Sequence, residues 1–314
     1  MLSVLPRELV LAYVFVIGAC VGSFLNVVIA RLPAGLSIVR PRSRCPRCGA
    51  AIAWYDNVPL ASYLLLRARC RHCRASIVPR YFMVELLMAA LAVALFVELG
   101  LSWQLLIWLP LAAAFLALAF LDIDHFWLPD VITLPAMVWA AAAAFLPGGT
   151  TPTQAALGLL PAAGLWAFAW AFLRLTGREG MGFGDIKLLA VLGLAFGPMG
   201  ALACLFLGSV QGSLIGAIAL LTHRQTSPQV PPSAQDPQAS PSPQQPQVSP
   251  APARPDVISS TGTAAKPSAD DWVPPARAIP FGPFLILACY EILLVPSLLR
   301  TLFEWLTGVM GSAA

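Results

Sequence analysis

Charge is what this sequence has least of. Only 11% of its 314 residues are Asp, Glu, Lys or Arg, against 58% hydrophobic, and the mean hydropathy is +0.77. So little polar surface could not cover a water-soluble globule, which leaves a polytopic membrane protein. Familiar catalytic signatures are missing too. There is no GxSxG elbow and no HExxH pair, no GxGxxG turn follows a strand, and the three histidines are scattered. No recognition helix or RNA-binding aromatic motif accompanies the arginines, which argues against nucleic acid as a partner. No internal hydropathy symmetry of the kind common in transporters is visible either.

What is abundant is apolar sequence. Runs long enough to cross roughly 30 Å of hydrocarbon lie at about residues 8–30, 81–99, 103–122, 130–147, 153–176, 186–203, 203–221 and 281–306. They predict an all-α polytopic membrane protein with about eight transmembrane helices. Only the turn signal Gly197-Pro198-Met199-Gly200 divides the sixth run from the seventh, and reading them as one gives seven. The first run is too long for a signal peptide and ends in Gly22-Ser23-Phe24-Leu25-Asn26 rather than a cleavage site. Asn26 is expected to bond a neighbouring helix, in packing or near a site.

Ten of the 19 Lys and Arg residues fall between Arg31 and Arg80, so the positive-inside rule puts that segment in the cytoplasm and the amino terminus outside. Alternation then places Asp122 to Asp130, Arg174 to Lys187 and His223 to Ile279 inside as well. The outer turns at 98–102, 147–154 and 197–200 carry no Lys or Arg, and only Arg7 and Arg300 run against the scheme.

Two knuckles, Cys45-Pro46-Arg47-Cys48 and Cys70-Arg71-His72-Cys73, stand 21 residues apart in that segment. Four thiolates at such spacing suit tetrahedral zinc, and a reducing cytoplasm disfavours the alternative of two disulfides. Four cysteines close the coordination sphere, so the metal would be structural in a small zinc-ribbon-like domain. His72 reads as a bystander, and Cys20, Cys204 and Cys289 as small core residues. Glu85 is either an arginine's partner or part of a site.

The acids are few enough to weigh singly. Arg178-Glu179-Gly180-Met181-Gly182-Phe183-Gly184-Asp185-Ile186-Lys187 sets three glycines and an acid at the mouth of an apolar helix. A carboxylate so close to hydrocarbon points to function, and the glycines would let a substrate backbone lie beside it. The plainer reading of Asp185 is a helix cap. The only other acidic cluster at a membrane border, Leu121-Asp122-Ile123-Asp124-His125-Phe126-Trp127-Leu128-Pro129-Asp130, falls on the same side. Two carboxylates sharing a proton form the machinery of an aspartic protease. Helix geometry lets only one of Asp122 and Asp124 face Asp185 and leaves the other solvated. Asp130, after Pro129, reads as a capping acid.

Together, Gly182-Phe183-Gly184-Asp185 with Glu179 and Lys187, the Leu121 to Asp130 cluster, Gly22 to Asn26, the paired knuckles and Ile279-Pro280-Phe281-Gly282-Pro283-Phe284 resemble the type IV prepilin peptidases. The resemblance implies a bifunctional enzyme of the bacterial inner membrane. It would cleave the basic leader of prepilins or type II secretion pseudopilins after a glycine, then methylate the new amino terminus with S-adenosylmethionine. It implies Asp122 and Asp185 as the catalytic pair and Cys45, Cys48, Cys70 and Cys73 as zinc ligands. The expected layout is a first transmembrane helix (1–30), a cytoplasmic four-cysteine zinc-binding domain (31–80), a transmembrane catalytic core (81–221), a disordered Pro/Gln/Ser-rich insert (222–278) and a last transmembrane helix (279–314). The insert departs from the family pattern and reads as a linker. Two rival classes remain, a non-catalytic zinc-ribbon assembly factor and an ion-coupled transporter.

Overall fold

The computed structural model describes residues 6–178, 181–223 and 279–295. Among these the regular structure is helical, with two isolated antiparallel bridges. The chain divides into two compact units, residues 1–216 with 279–314, and residues 217–278. Of the second, only residues 217–223, the end of a helix, are described.

The helices are α1 (Arg7–Arg31), short α2 (Ala61–Leu65), α3 (Pro79–Leu99), α4 (Trp103–His125), α5 (Asp130–Ala143), α6 (Pro152–Leu157), α7 (Leu159–Thr176), α8 (Phe183–His223) and α9 (Gly282–Leu294). Among the described residues five helical stretches are long and apolar enough to cross a membrane: α1, α3, α4, α6 with α7, and α8 as far as Ala219. This corrects the expectation of eight. With 14 residues α5 reaches about 21 Å, and with 13 residues α9 about 20 Å, both short of the roughly 30 Å required. The fourth run ends early as a helix because Ala144, Phe145 and Leu146 bond three residues back, tightening the chain into a turn. In α8, Gly197 adopts φ 77° and breaks the helical path just before Pro198, where the sequence signalled a turn.

The centre is α4. Its residues Leu111, Phe115 and Leu118 pack with Ala136 and Ala140 of α5, Leu188 and Leu192 of α8, and Leu285 and Cys289 of α9. Another face, with Ala117 and Leu121, meets Leu25 and Ile29 of α1 and Val84 and Met88 of α3. By contrast α7 buries only Ala162, so its Trp166, Phe168 and Trp170 face outward, as lipid-facing side chains would. Polar ties reinforce the packing where water is absent: Trp139 donates its indole N–H to the Ile107 carbonyl at 3.0 Å, and the Tyr290 hydroxyl donates to Ala112 at 2.8 Å.

Small residues allow a close approach between α1 and α3. A Cβ at Gly18 would stand 2.8 Å from the Ala89 Cα, and one at Gly22 2.7 Å from the Glu85 Cα. These glycines, one turn apart, let the two backbones meet, and Asn26 on the same face donates to the Tyr81 carbonyl at 2.9 Å. Cys204 and Cys289 are buried as expected, but Cys20 is exposed. It lies off the stripe of Gly18, Ala19 and Gly22 that α1 turns inward.

Candidate active site and metal centre

The α4 helix carries Asp122 to its last turn, where Phe126 (φ 51°) closes the helix with its N–H on the Asp122 carbonyl at 2.9 Å. Asp122 is buried, and its Oδ2 accepts the Gly282 N–H at 3.1 Å. Any Cβ at residue 282 would fall 2.6 Å from that oxygen, so glycine is what lets the α9 backbone reach the acid. Asp185 is half-buried in the first turn of α8. Leu128 is the spacer between their supports: a Cβ on Gly184 would lie 3.0 Å from Leu128 Cβ, and one on Gly282 3.5 Å from Leu128 Cδ1. Gly184 is thus needed for packing. Gly182 is exposed, and its missing Cβ would sit at ordinary contact distance, 3.7 Å, from Asp185 Oδ2. Glu179 and Gly180 lie outside the described residues.

The remaining acids of the cluster have cationic partners. Asp124 is exposed, as expected, and also forms an ion pair with Arg80, whose guanidinium stacks over Phe120. Asp130, expected merely to cap, is paired with Lys187, whose ammonium lies 4.9 Å from the Phe183 ring centroid. Asp122 and Asp185 form no ion pair among the described residues. Half a helical turn separates Asp122 from Asp124 and sends them to opposite environments.

The four cysteines converge. The Sγ atoms of Cys45, Cys48, Cys70 and Cys73 all lie within 4.8 Å of one another, and those of Cys45 and Cys73 are 3.8 Å apart. The edge of a tetrahedron of sulfurs held at about 2.3 Å from zinc is also about 3.8 Å, so the cluster fits that ion. Both knuckles fold alike. Cys45 N–H bonds Ala50 and Cys70 N–H bonds Ala75, while Gly49 and Arg74 turn back onto the Cys45 and Cys70 carbonyls. Backbone N–H groups of Cys48 and Arg47 lower the Cys45 thiol to about 6, and those of Cys73 and His72 lower the Cys70 thiol, which favours the metal-binding thiolate at these two positions. His72 stands outside the sulfur cluster. Arg71 clamps Asp56 through two bonds, of 2.7 and 2.5 Å, and holds its carboxyl below the usual range. Glu85 forms no ion pair with an arginine among the described residues. It is buried and accepts the Leu60 N–H at 2.8 Å.

Two family profiles match the chain: the bacterial peptidase A24 N-terminal domain over residues 16–99, and the type IV leader peptidase family over residues 109–217. A prepilin leader peptidase/N-methyltransferase of Myxococcus xanthus is 38% identical over 318 residues, covering 95% of this chain and 94% of that protein. The chain belongs to the type IV leader peptidase family.

Proteins of the same description from Aeromonas hydrophila and Pseudomonas aeruginosa are 41% and 38% identical, over 68% and 65% of this chain and 83% and 79% of their own length. No solved structure matches. Within this leader peptidase family member the first profile spans the latter part of α1, both knuckles and α3, and the second contains both Asp122 and Asp185. Gly282 lies outside both stretches, and its role was missed in the sequence because it acts on an acid 160 residues away. Gly282→Val should push Asp122 off its backbone donor and lower leader cleavage about 100-fold, since a shift near 1 Å is enough for that. Cleavage of a prepilin peptide by the purified variant, at wild-type metal content, measures it.

Proposed function

We propose that this protein is a membrane aspartyl endopeptidase that removes the leader of type IV prepilins or type II secretion pseudopilins after a glycine, and then N-methylates the new amino terminus. The observation that carries the proposal is the sorting of the four acids. Arg80 and Lys187 occupy Asp124 and Asp130, while Asp122 and Asp185 form no ion pair among the described residues, and the glycines beside them, Gly282 and Gly184, both pack on Leu128. Close carboxylates of this kind share a proton. The ionised member takes a proton from water as its oxygen attacks the scissile carbonyl carbon, and the protonated member gives its proton to the carbonyl oxygen. The resulting diol collapses as the member that gave its proton takes one back from a diol hydroxyl, the C–N bond breaks, and the leaving nitrogen takes up the proton that the other member drew from water. The Gly282 N–H fixes Asp122, and exposed Gly182 leaves room for an extended substrate beside Asp185.

The ten basic residues from Arg31 to Arg80 support a cytoplasmic position for the cysteine domain and an outer amino terminus. Because Arg80 is paired with Asp124, the dyad belongs to that same face. The cysteine cluster holds structural zinc, with no coordination position left for water. S-adenosylmethionine supplies the methyl group, a reading supported by the relatives' names. Together these features describe a multi-pass inner-membrane enzyme whose eight apolar runs each traverse or enter the bilayer.

The 222–278 insert lies almost wholly outside the described residues. Treated as a linker within the layout 1–30, 31–80, 81–221, 222–278 and 279–314, it should tolerate deletion of about forty residues. The change in closure cost is only about 1 kcal/mol. Cleavage within about threefold of the full-length rate is expected, whereas loss of activity in a variant that still accumulates would assign the insert a docking role. The function as a whole is tested by mass spectrometry of a pilin produced with and without this protein. Leader removal and a gain of one methyl group are expected only when it is present.

A further inference from the structure

The first turns of α3 hold down a strap of the cysteine domain that the peptidase chemistry does not use. With 21 residues α3 reaches about 31 Å, so crossing roughly 30 Å of hydrocarbon leaves it almost nothing to spare. Tilt only shortens that reach. Glu85 stands six residues past Pro79, about 9 Å along the helix, so whatever covers it sits at the boundary between headgroups and hydrocarbon. The strap provides that cover. The Leu60 N–H donates to Glu85 Oε2 at 2.8 Å, and Tyr63 of α2 stacks on Phe82 with ring centroids 5.1 Å apart. Leu60 adopts φ 60°, a left-handed conformation that a branched side chain keeps only where its surroundings hold it. The strap is therefore fixed at the depth of Glu85.

Its outer side is apolar. The buried Ser62 donates its hydroxyl to the Tyr55 carbonyl at 3.1 Å and folds α2 onto the single turn Trp54–Asn57. That leaves Trp54 at 82% and Leu65 at 83% exposure, with Tyr55 and Leu64 exposed as well. At the same level of α3, Met83, Leu86 and Leu87 are exposed, as the lipid-facing side of a span would be. Cations accompany this surface. The pattern Arg-x-Arg-Cys-x-x-Cys occurs twice, from Arg42 to Cys48 and from Arg67 to Cys73, and the bridges of Arg44 with Ala51 and Arg69 with Ser76 give both copies one fold. Arg42, Arg44, Arg67 and Arg69 are exposed and form no ion pair among the described residues. Ten arginines from Arg31 to Arg80 share a single acid within that segment, Asp56, which Arg71 already holds.

Aromatic rings and leucines beside unpaired arginines suit a bilayer interface, where rings settle at headgroup level and arginines meet lipid phosphate. A basic prepilin leader would be repelled by these arginines, and nucleic acid does not reach the depth at which Glu85 holds the strap. We propose that residues 54–65 form a wedge in the cytoplasmic leaflet, with Trp54, Leu64 and Leu65 at the edge of the acyl chains and Arg42, Arg44, Arg67 and Arg69 on the phosphates of anionic lipids. The assignment rests on the reading of the protein as a multi-pass enzyme whose cysteine domain faces the cytoplasm. The wedge holds that domain against the bilayer on the face of the dyad, because Arg80 at the start of α3 pairs with Asp124.

The experiment uses full-length protein with Leu65 or Trp54 replaced by the photocrosslinker p-benzoylphenylalanine, in nanodiscs of phosphatidylethanolamine containing a minor share of phosphatidylglycerol. After irradiation, mass spectrometry of the strap peptides should show lipid adducts at both positions, with phosphatidylglycerol enriched at least about threefold over its share of the bilayer. Arg42→Gln, Arg44→Gln, Arg67→Gln and Arg69→Gln combined should erase the enrichment while the adducts, zinc content and leader cleavage remain. If that variant loses zinc, high salt makes the same test without the four substitutions and should likewise erase the enrichment but keep the adducts. Adducts to a second copy of the chain or to an added prepilin peptide in place of lipid, no lipid adduct at either position, or adducts in the bulk lipid ratio would overturn the proposal. Leader cleavage in nanodiscs of the same lipids separates the two readings. Wild-type protein that removes no leader refutes the functional reading, whereas cleavage without lipid adducts refutes only the wedge.

Discussion

On the proposed mechanism, asparagine at Asp122 or at Asp185 should lower leader cleavage by about 1,000-fold or more, because each carboxyl there exchanges a proton with water or substrate and an amide cannot. Asparagine at Asp124 or Asp130 retains a measurable rate. Those two acids sit in ion pairs with Arg80 and Lys187, so their loss disturbs the position of α3 or α8 without removing a reacting group. Double variants sharpen the distinction. Removing Arg80 together with Asp124 should cost little more than either alone, since both belong to one interaction. The measurement is cleavage of a prepilin peptide by purified variants whose metal content matches the wild type. An inactive Asp124→Asn beside an active Asp122→Asn would reassign the dyad.

The second large effect concerns the cysteines. Serine at Cys45 or Cys73 removes one corner of a sulfur tetrahedron whose edge already measures 3.8 Å, and should release the metal. Structural zinc contributes about 10–16 kcal/mol to the folding of small domains, so the loop from Arg40 to Val78 should lose its fold and the protein accumulate poorly. The damage extends to the helices, because Leu60 is hydrogen-bonded to Glu85 in α3. Elemental analysis of wild type and variants, with proteolysis of the loop, measures it. Oxidised knuckles and no zinc in the wild type would contradict both the metal assignment and a cytoplasmic position for this domain.

How far the sequence could be read depended on how local the cause was. The cysteine cluster follows from ligand spacing, and the break at Gly197 from a Gly-Pro pair, both short-range signals. The geometry that turns Asp122 and Asp124 apart is local too, and the structure buries the first while leaving the second exposed. Their partners were not legible. Arg80, Lys187 and Gly282 are brought to Asp124, Asp130 and Asp122 by the packing of α3, α8 and α9 around α4, which no periodicity records. The span count failed for a different reason. Apolar runs measure composition, whereas a membrane span needs unbroken helix, and the chain around Ala144 to Leu146 stays apolar while turning. The glycines of the Gly182 to Asp185 motif were read as a group, yet only Gly184 is crowded, against Leu128.

The central claim is that Asp122 and Asp185 act as one hydrolytic pair. Its most direct measurement is the mass of the amino-terminal peptide of a prepilin incubated in nanodiscs with wild-type protein or with Asp185→Asn at equal zinc content. The account predicts a leader-free peptide from the wild type and a full leader after Asp185→Asn. A leader-free peptide from both would contradict it.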